Sequence, residues 1–248
     1  MPPTPPSPPD TTPRFVFVVT YGRSGSTLTQ GMLNTLPRTL VRGENNLYVL
    51  PMFRAYDGLE AFKAKYGGPG SAKTSSAFYG LGDVDLGAFA ASVRELVQRQ
   101  LLGGIALSDV DRLGFKEVLW HRVKPAEWSA FFAFLDLAFV DPLYVLNRRD
   151  VAMASSSGFW QKKQPGVAEQ QINRVRRLQD FLRESRPGRC FDTRFEAMTS
   201  DDHDVAADQL RRLAEFVTGS CDDDLLAALF TTRETGHGPN PFGKTRQA

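Results

Sequence analysis

Only two cysteines, Cys190 and Cys221, occur in 248 residues, and they do not share a CxxC spacing. Two thiols are too few for a disulfide scaffold, and their scarcity points to a reduced, cytoplasmic protein. Histidine is sparse too. His121, His203 and His237 lie far apart, so no metal ligand set is expected. Long apolar runs are missing. The longest, residues 131–140, is broken by Asp136 and falls well short of a membrane span. The N-terminus has no basic segment followed by an apolar one, so no secretory signal is expected. Net charge is nearly absent: 30 Lys+Arg against 28 Asp+Glu leave +2, which argues against nucleic acid or another polyanion as partner and still permits one local anion site.

What is present suits a folded protein. At 42% hydrophobic and 23% charged residues, a chain of this length can bury a sizeable core. Seven of the sixteen prolines fall in residues 1–13, which offer little to bury and are expected to form a disordered leader. Residues 14–248 are then expected to form a single domain.

FVFVV at residues 15–19 is a short, wholly apolar run of aromatic and β-branched residues, the pattern of a central parallel strand. It leads into TYGRSGST at 20–27 and then a helical spacing through Leu28, Met32 and Leu33. Further helices are expected at 89–102, 125–139, 149–161, 167–185 and 205–217, and strands at 113–120, 143–147 and 189–195. Residues 67–88 are rich in Gly and Ser and read as a mobile loop, and 231–248 as an irregular closing loop. Strands alternating with helices indicate an α/β fold with a central parallel sheet.

The glycine-bearing turn is the first chemical signal. Gly22 and Gly25 permit backbone shapes in which successive N–H groups converge on an anion. Ser24, Ser26 and Thr27 offer hydroxyl donors, and Arg23 adds a forked cation at a helix N-terminus. The turn matches neither GxxxxGK[ST] nor GxGxxG.

RSGSTL at 23–28 resembles the 5′-phosphosulfate loop of sulfotransferases, in which a strand leads into [KR]-S-G-[ST]-T-L and a helix. These enzymes use 3′-phosphoadenosine 5′-phosphosulfate (PAPS). The arginine is similar to that of the branch containing bacterial trehalose-type and tyrosylprotein sulfotransferases. Three further segments share the resemblance. VRGENN at 41–46 is similar to the element carrying the catalytic base, which makes Glu44 the matching residue. LGFKEVLWH at 113–121 resembles a G-x-K-x-x-W segment, which implies Lys116 beside the sulfate and places Trp120 and His121 in the acceptor wall. LYVLNRRDVAMASSSGFW at 143–160 resembles the 3′-phosphate-binding motif, implying Arg149 and Ser157, eight residues apart. Arg148 competes with Arg149 there, and Ser155 or Ser156 with Ser157. CFDTRFE at 190–196 resembles the family's late R-[YF]-E strand, with Phe195 lacking the hydroxyl of a tyrosine. A closing loop over the 3′-phosphate would use Lys244.

The resemblance implies a P-loop-like three-layer sandwich and transfer of a sulfuryl group from PAPS to an acceptor hydroxyl on a sugar, glycan, lipid or other small molecule. Glu44 would be the base, with Arg23 and Lys116 stabilising charge. No metal is implied, because cationic side chains supply the neutralisation. Two other readings stand beside it: a P-loop metabolite kinase using Asp83/Asp85 or Asp109/Asp111 for magnesium, and a silent nucleotide-binding scaffold. Residues 47–112 match no motif and are left to the acceptor.

Overall fold

The apolar run near the N-terminus lies at the centre of the molecule, as a strand without a polar face must. The structure, a computed structural model, describes residues 12–156, 158, 160, 164 and 166–236. In chain order the first elements are β1 (Arg14–Val19), α1 (Ser26–Thr35), β2 (Thr39–Arg42), α2 (Val49–Tyr66), α3 (Leu86–Leu102), β3 (Arg112–Glu117) and α4 (Trp128–Phe139). There follow β4 (Leu143–Arg148), α5 (Val151–Ser155), α6 (Val167–Ser185), β5 (Cys190–Arg194), α7 (Phe195–Met198), α8 (His203–Thr218) and α9 (Asp223–Thr235).

The five strands form one parallel sheet in the order β2-β3-β1-β4-β5. Alternation along β1 sends Phe15, Phe17 and Val19 to one face and Val16 and Val18 to the other. On the first face α2, α3, α4 and α6 bury a core rich in aromatic rings; on the second, α1, α8 and α9 bury an aliphatic one. The fold is therefore α/β in three layers. Each fully buried large side chain contributes about 1.5–3 kcal/mol by removal from water. Phe15 and Phe17 both meet Phe139, at 4.6 and 5.2 Å between ring centroids, which locks α4 onto the sheet.

From β1 the chain crosses over α1 to β2 at one edge. It then returns through β3, passes β1 and continues to β4 and β5 on the other side. The reversed step alone uses the α1 face, which is what right-handed crossovers demand. β1 is thus the point where strand order reverses, and a crevice opens beyond its carboxyl end.

Several expectations are corrected. Trp120 is no part of an acceptor wall: it is fully buried, and its Nε1 donates to the Val18 carbonyl at 3.2 Å. Residues 67–88 contain two 3₁₀ turns, Pro69–Ala72 and Leu81–Asp83. They are joined where the buried Ser71 hydroxyl accepts from the Gly82 amide and donates to the Gly68 carbonyl. Residues 231–235 belong to α9 rather than to a loop; of the helix expected at 149–161, Val151–Ser155 forms α5, and residues 157, 159 and 161 lie outside the described residues. The leader at 1–11 and the closing loop at 237–248 lie outside the described residues.

Gly114 shows how tightly the centre is built. A Cβ added there would lie 1.7 Å from the Val16 carbonyl oxygen of the neighbouring strand. Gly114→Ala is expected to cost at least about 1–3 kcal/mol, since backbone rather than a flexible side chain must yield. A lower denaturant midpoint at unchanged slope would show it; an unchanged midpoint would contradict so close an approach.

Candidate functional site

Beyond the end of β1, residues 20–25 turn back on themselves to start α1. Gly25 holds φ at +78° and Arg23 at +66°, so two left-handed residues flank Ser24. Among the described residues no side chain caps α1, and its first turn carries no acid, so the positive end of the helix dipole faces outward from the turn. The turn is fixed from behind through its carbonyls. Trp160 Nε1 donates to the Gly22 carbonyl at 2.9 Å, Arg149 Nη1 to the Arg23 carbonyl at 3.2 Å, and Asn147 Nδ2 to the Ser24 carbonyl at 3.0 Å. Tyr21 adds a two-way link: its hydroxyl donates to the Arg149 carbonyl at 2.6 Å and accepts from the Arg149 amide at 2.9 Å. Burial holds that phenol above its ordinary pKa, so it keeps its proton.

Asn147 is the hub and was not singled out from the sequence. It is fully buried at the end of β4, and its Oδ1 accepts from the hydroxyls of Thr29 at 2.5 Å and Thr193 at 3.0 Å. Gln179 of α6 ties the Val19 and Asn147 carbonyls together at 2.7 and 3.1 Å. A buried polar cluster of this kind is costly unless its groups are paired, so it enforces one arrangement of the strand ends.

In front of the turn lies a cleft of about 540 Å³, lined by Gly22, Arg23, Gly25, Ser26, Thr27, Leu28, Glu44, Lys116, Val118, Leu119, Arg149 and Phe195. Such a volume suits a nucleotide-sized ligand. The cations come from three places: Arg23 from the turn, Lys116 from β3 and Arg149 from the end of β4. Lys116 is nearly buried, with its side chain 7% exposed, and its Nζ donates to Glu44 Oε1 at 2.6 Å. Glu44, half exposed, is the acid among the described lining residues. Arg149 stacks on Phe195, with the guanidinium carbon 4.4 Å from the ring centroid, and Phe195 in turn lies against Gly25.

Of the residues singled out from the sequence, the structure therefore brings Arg23, Gly25, Ser26, Thr27, Glu44, Lys116, Arg149 and Phe195 to one cleft. Ser24 is a correction. Its side chain is buried and its hydroxyl is hydrogen-bonded to that of Thr20 at 2.6 Å, so it braces the turn from inside and offers a ligand no hydroxyl. Arg148 faces away, in ion pairs with Asp180 at 2.6 Å and Asp192 at 3.7 Å. Ser157 and Lys244 lie outside the described residues. Ser155 and Ser156 spend their hydroxyls on the Ala152 and Met153 carbonyls, at 3.3 Å each. His121 does not line the cleft. Neither do the aspartates considered for magnesium: Asp85 caps α3 through the Ala88 amide, and Asp111 pairs with Arg38 at 2.9 Å. Among the described residues no helix is long and apolar enough to cross a membrane.

No family model and no curated protein matches the chain. Among solved structures it is similar to the sulfotransferase domain from the Synechococcus PCC 7002 olefin synthase, at 20% identity and a TM-score of 0.49, over 96% of this chain and 86% of that one. A likeness at that level leaves function to be argued from the cleft.

Proposed function

We propose that the cleft binds PAPS and that residues 14–248 act as one sulfotransferase unit on an acceptor hydroxyl. The observation that supports this best is the arrangement of charge: three cations around an uncapped helix start, with the Glu44 carboxylate resting on Lys116. Bound there, PAPS would supply the sulfuryl group and a phosphate as leaving group. Arg23 and the first turn of α1 would hold the sulfuryl oxygens, and Arg149 the far phosphate, as forked, permanently charged donors do.

Glu44 would accept the proton of the attacking hydroxyl. Its contact with Lys116 couples two events. While Glu44 is ionised it holds the ammonium; once protonated it releases that charge. Lys116 then faces the departing oxygen with its full charge at the moment negative charge develops there. Stabilisation timed to the transition state lowers the barrier without tightening ground-state binding. The acceptor would enter on the Glu44 side, where Val118 and Leu119 form the wall.

The reading predicts that 3′-phosphoadenosine 5′-phosphate (PAP) stabilises the fold with no added metal. At 100 times its dissociation constant the gain is about 2.7 kcal/mol. ATP with magnesium should give less. A larger shift in melting temperature with ATP–magnesium would favour the kinase reading instead. Transfer itself is tested by incubating the protein with PAPS and a metabolite extract and seeking a mass gain of one sulfo group. PAP binding with no transfer to any hydroxyl compound would leave the scaffold reading.

A further inference from the structure

We propose that Glu117 is the positioning residue for Glu44; this rests on the reading of Glu44 as the base. Lys116 and Glu117 are consecutive at the end of β3, so their side chains leave opposite faces of the sheet. Both grip the same loop. Lys116 holds the Glu44 carboxylate, while Glu117 Oε2 accepts from the main-chain amides of Asn45 at 3.0 Å and Leu47 at 2.8 Å. Glu117 Oε1 accepts from the amides of Val118 at 2.7 Å and Leu119 at 3.0 Å. Both of those residues line the cleft beside Glu44.

The side chain is fully buried and has no ion-pair partner among the described residues. A buried carboxylate is costly unless its lone pairs are satisfied, and here four backbone N–H groups do so. An apolar residue would fill a strand position beside Val19 at no such cost, so the carboxylate has to be explained by what it holds. The loop supplies the explanation. Asn46 and Leu47 are both left-handed, with φ of +63° and +50°, a shape that costs non-glycine residues roughly 1–2 kcal/mol each. Left-handed turns of this kind point neighbouring amides at a common anion. Glu117 is that anion, supplied by the protein itself. Without it the loop would relax, and Glu44 would lose its placement against Lys116 and the acceptor wall.

The test uses the full chain with Glu117→Gln, which keeps the volume but sets an NH2 group against two amide donors. The expected results are faster amide hydrogen exchange at Asn45 and Leu47, PAP affinity within about threefold of the parent, and sulfuryl transfer at least tenfold slower. Added to Glu44→Gln, the same change should slow transfer little further, because a positioning residue acts only through the group it positions. An equal loss in both backgrounds would show a general structural role and overturn the proposal. So would normal transfer by Glu117→Gln when Glu44→Gln is impaired. Normal transfer by Glu44→Gln would overturn the reading of Glu44 and this proposal with it. Should Glu117→Gln fail to fold, Glu117→Asp, one methylene shorter with the charge kept, takes its place with the same expected pattern.

Discussion

Turnover of the Glu44→Gln protein is expected to fall by about 10²–10⁴-fold while its affinity for PAP changes little. Glutamine keeps the shape and can still accept a hydrogen bond from Lys116, but it has no basic oxygen for the acceptor proton. The neutral amide also leaves the Lys116 charge uncompensated from the start, so any change in PAP affinity should be a modest gain. Single-turnover transfer of labelled sulfate from PAPS, with the acceptor found by mass gain, measures the first effect, and calorimetry with PAP the second. Near-normal turnover would overturn the reading of Glu44 as the base.

Gly25→Ala is expected to damage both folding and anion binding. An added Cβ would lie 2.0 Å from Phe195 Cδ2, and φ at this position is +78°. The left-handed conformation costs a non-glycine residue roughly 1–2 kcal/mol, and the overlap roughly 1–3 kcal/mol more. Relief by motion is restricted, because Phe195 is stacked under Arg149 and the turn is bonded to the strand ends behind it. PAP affinity should drop at least tenfold, since the helix start and Arg149 are both displaced. The double change Gly25→Ala with Phe195→Ala removes the overlap but keeps the backbone strain, so it should recover about half of the lost stability. Melting curves of the single and double variants measure this. Complete additivity would mean that the two residues do not meet.

The strand–turn–helix unit was legible because everything that makes it is local: FVFVV has no polar face, and glycine, hydroxyl and arginine follow at once. β2 was not seen, since four residues, TLVR, are too few to show a period. α2 escaped for a different reason. Its buried residues, Val49, Leu50, Phe53 and Tyr56, all lie in its first half, and in the second half Phe62 and Tyr66 pack on each other and on Phe78 of the following loop, away from the main core. At the site, chemistry was readable and direction was not. Ser24, Ser26 and Thr27 are equivalent as letters, and only Thr20 and Asn147 decide that Ser24 turns inward. Arg148 and Arg149 could not be told apart until Asp180 and Asp192 were seen to hold the first. Glu117 looked like one more strand residue because its partners, Asn45 and Leu47, lie about seventy positions earlier.

The three donors behind the turn also set an order in time. RSGSTL is synthesised well before the groups that hold the carbonyls of Gly22, Arg23 and Ser24, which are Trp160, Arg149 and Asn147, separated from them by 138, 126 and 123 positions. Contacts so distant in sequence form late, after the loop between them has closed. A nascent chain ending after α4 would carry the whole motif and none of those three donors. The cradle is therefore made before the groups that support it and takes its final shape only after them, so competence to bind an anion there reports the completion of folding.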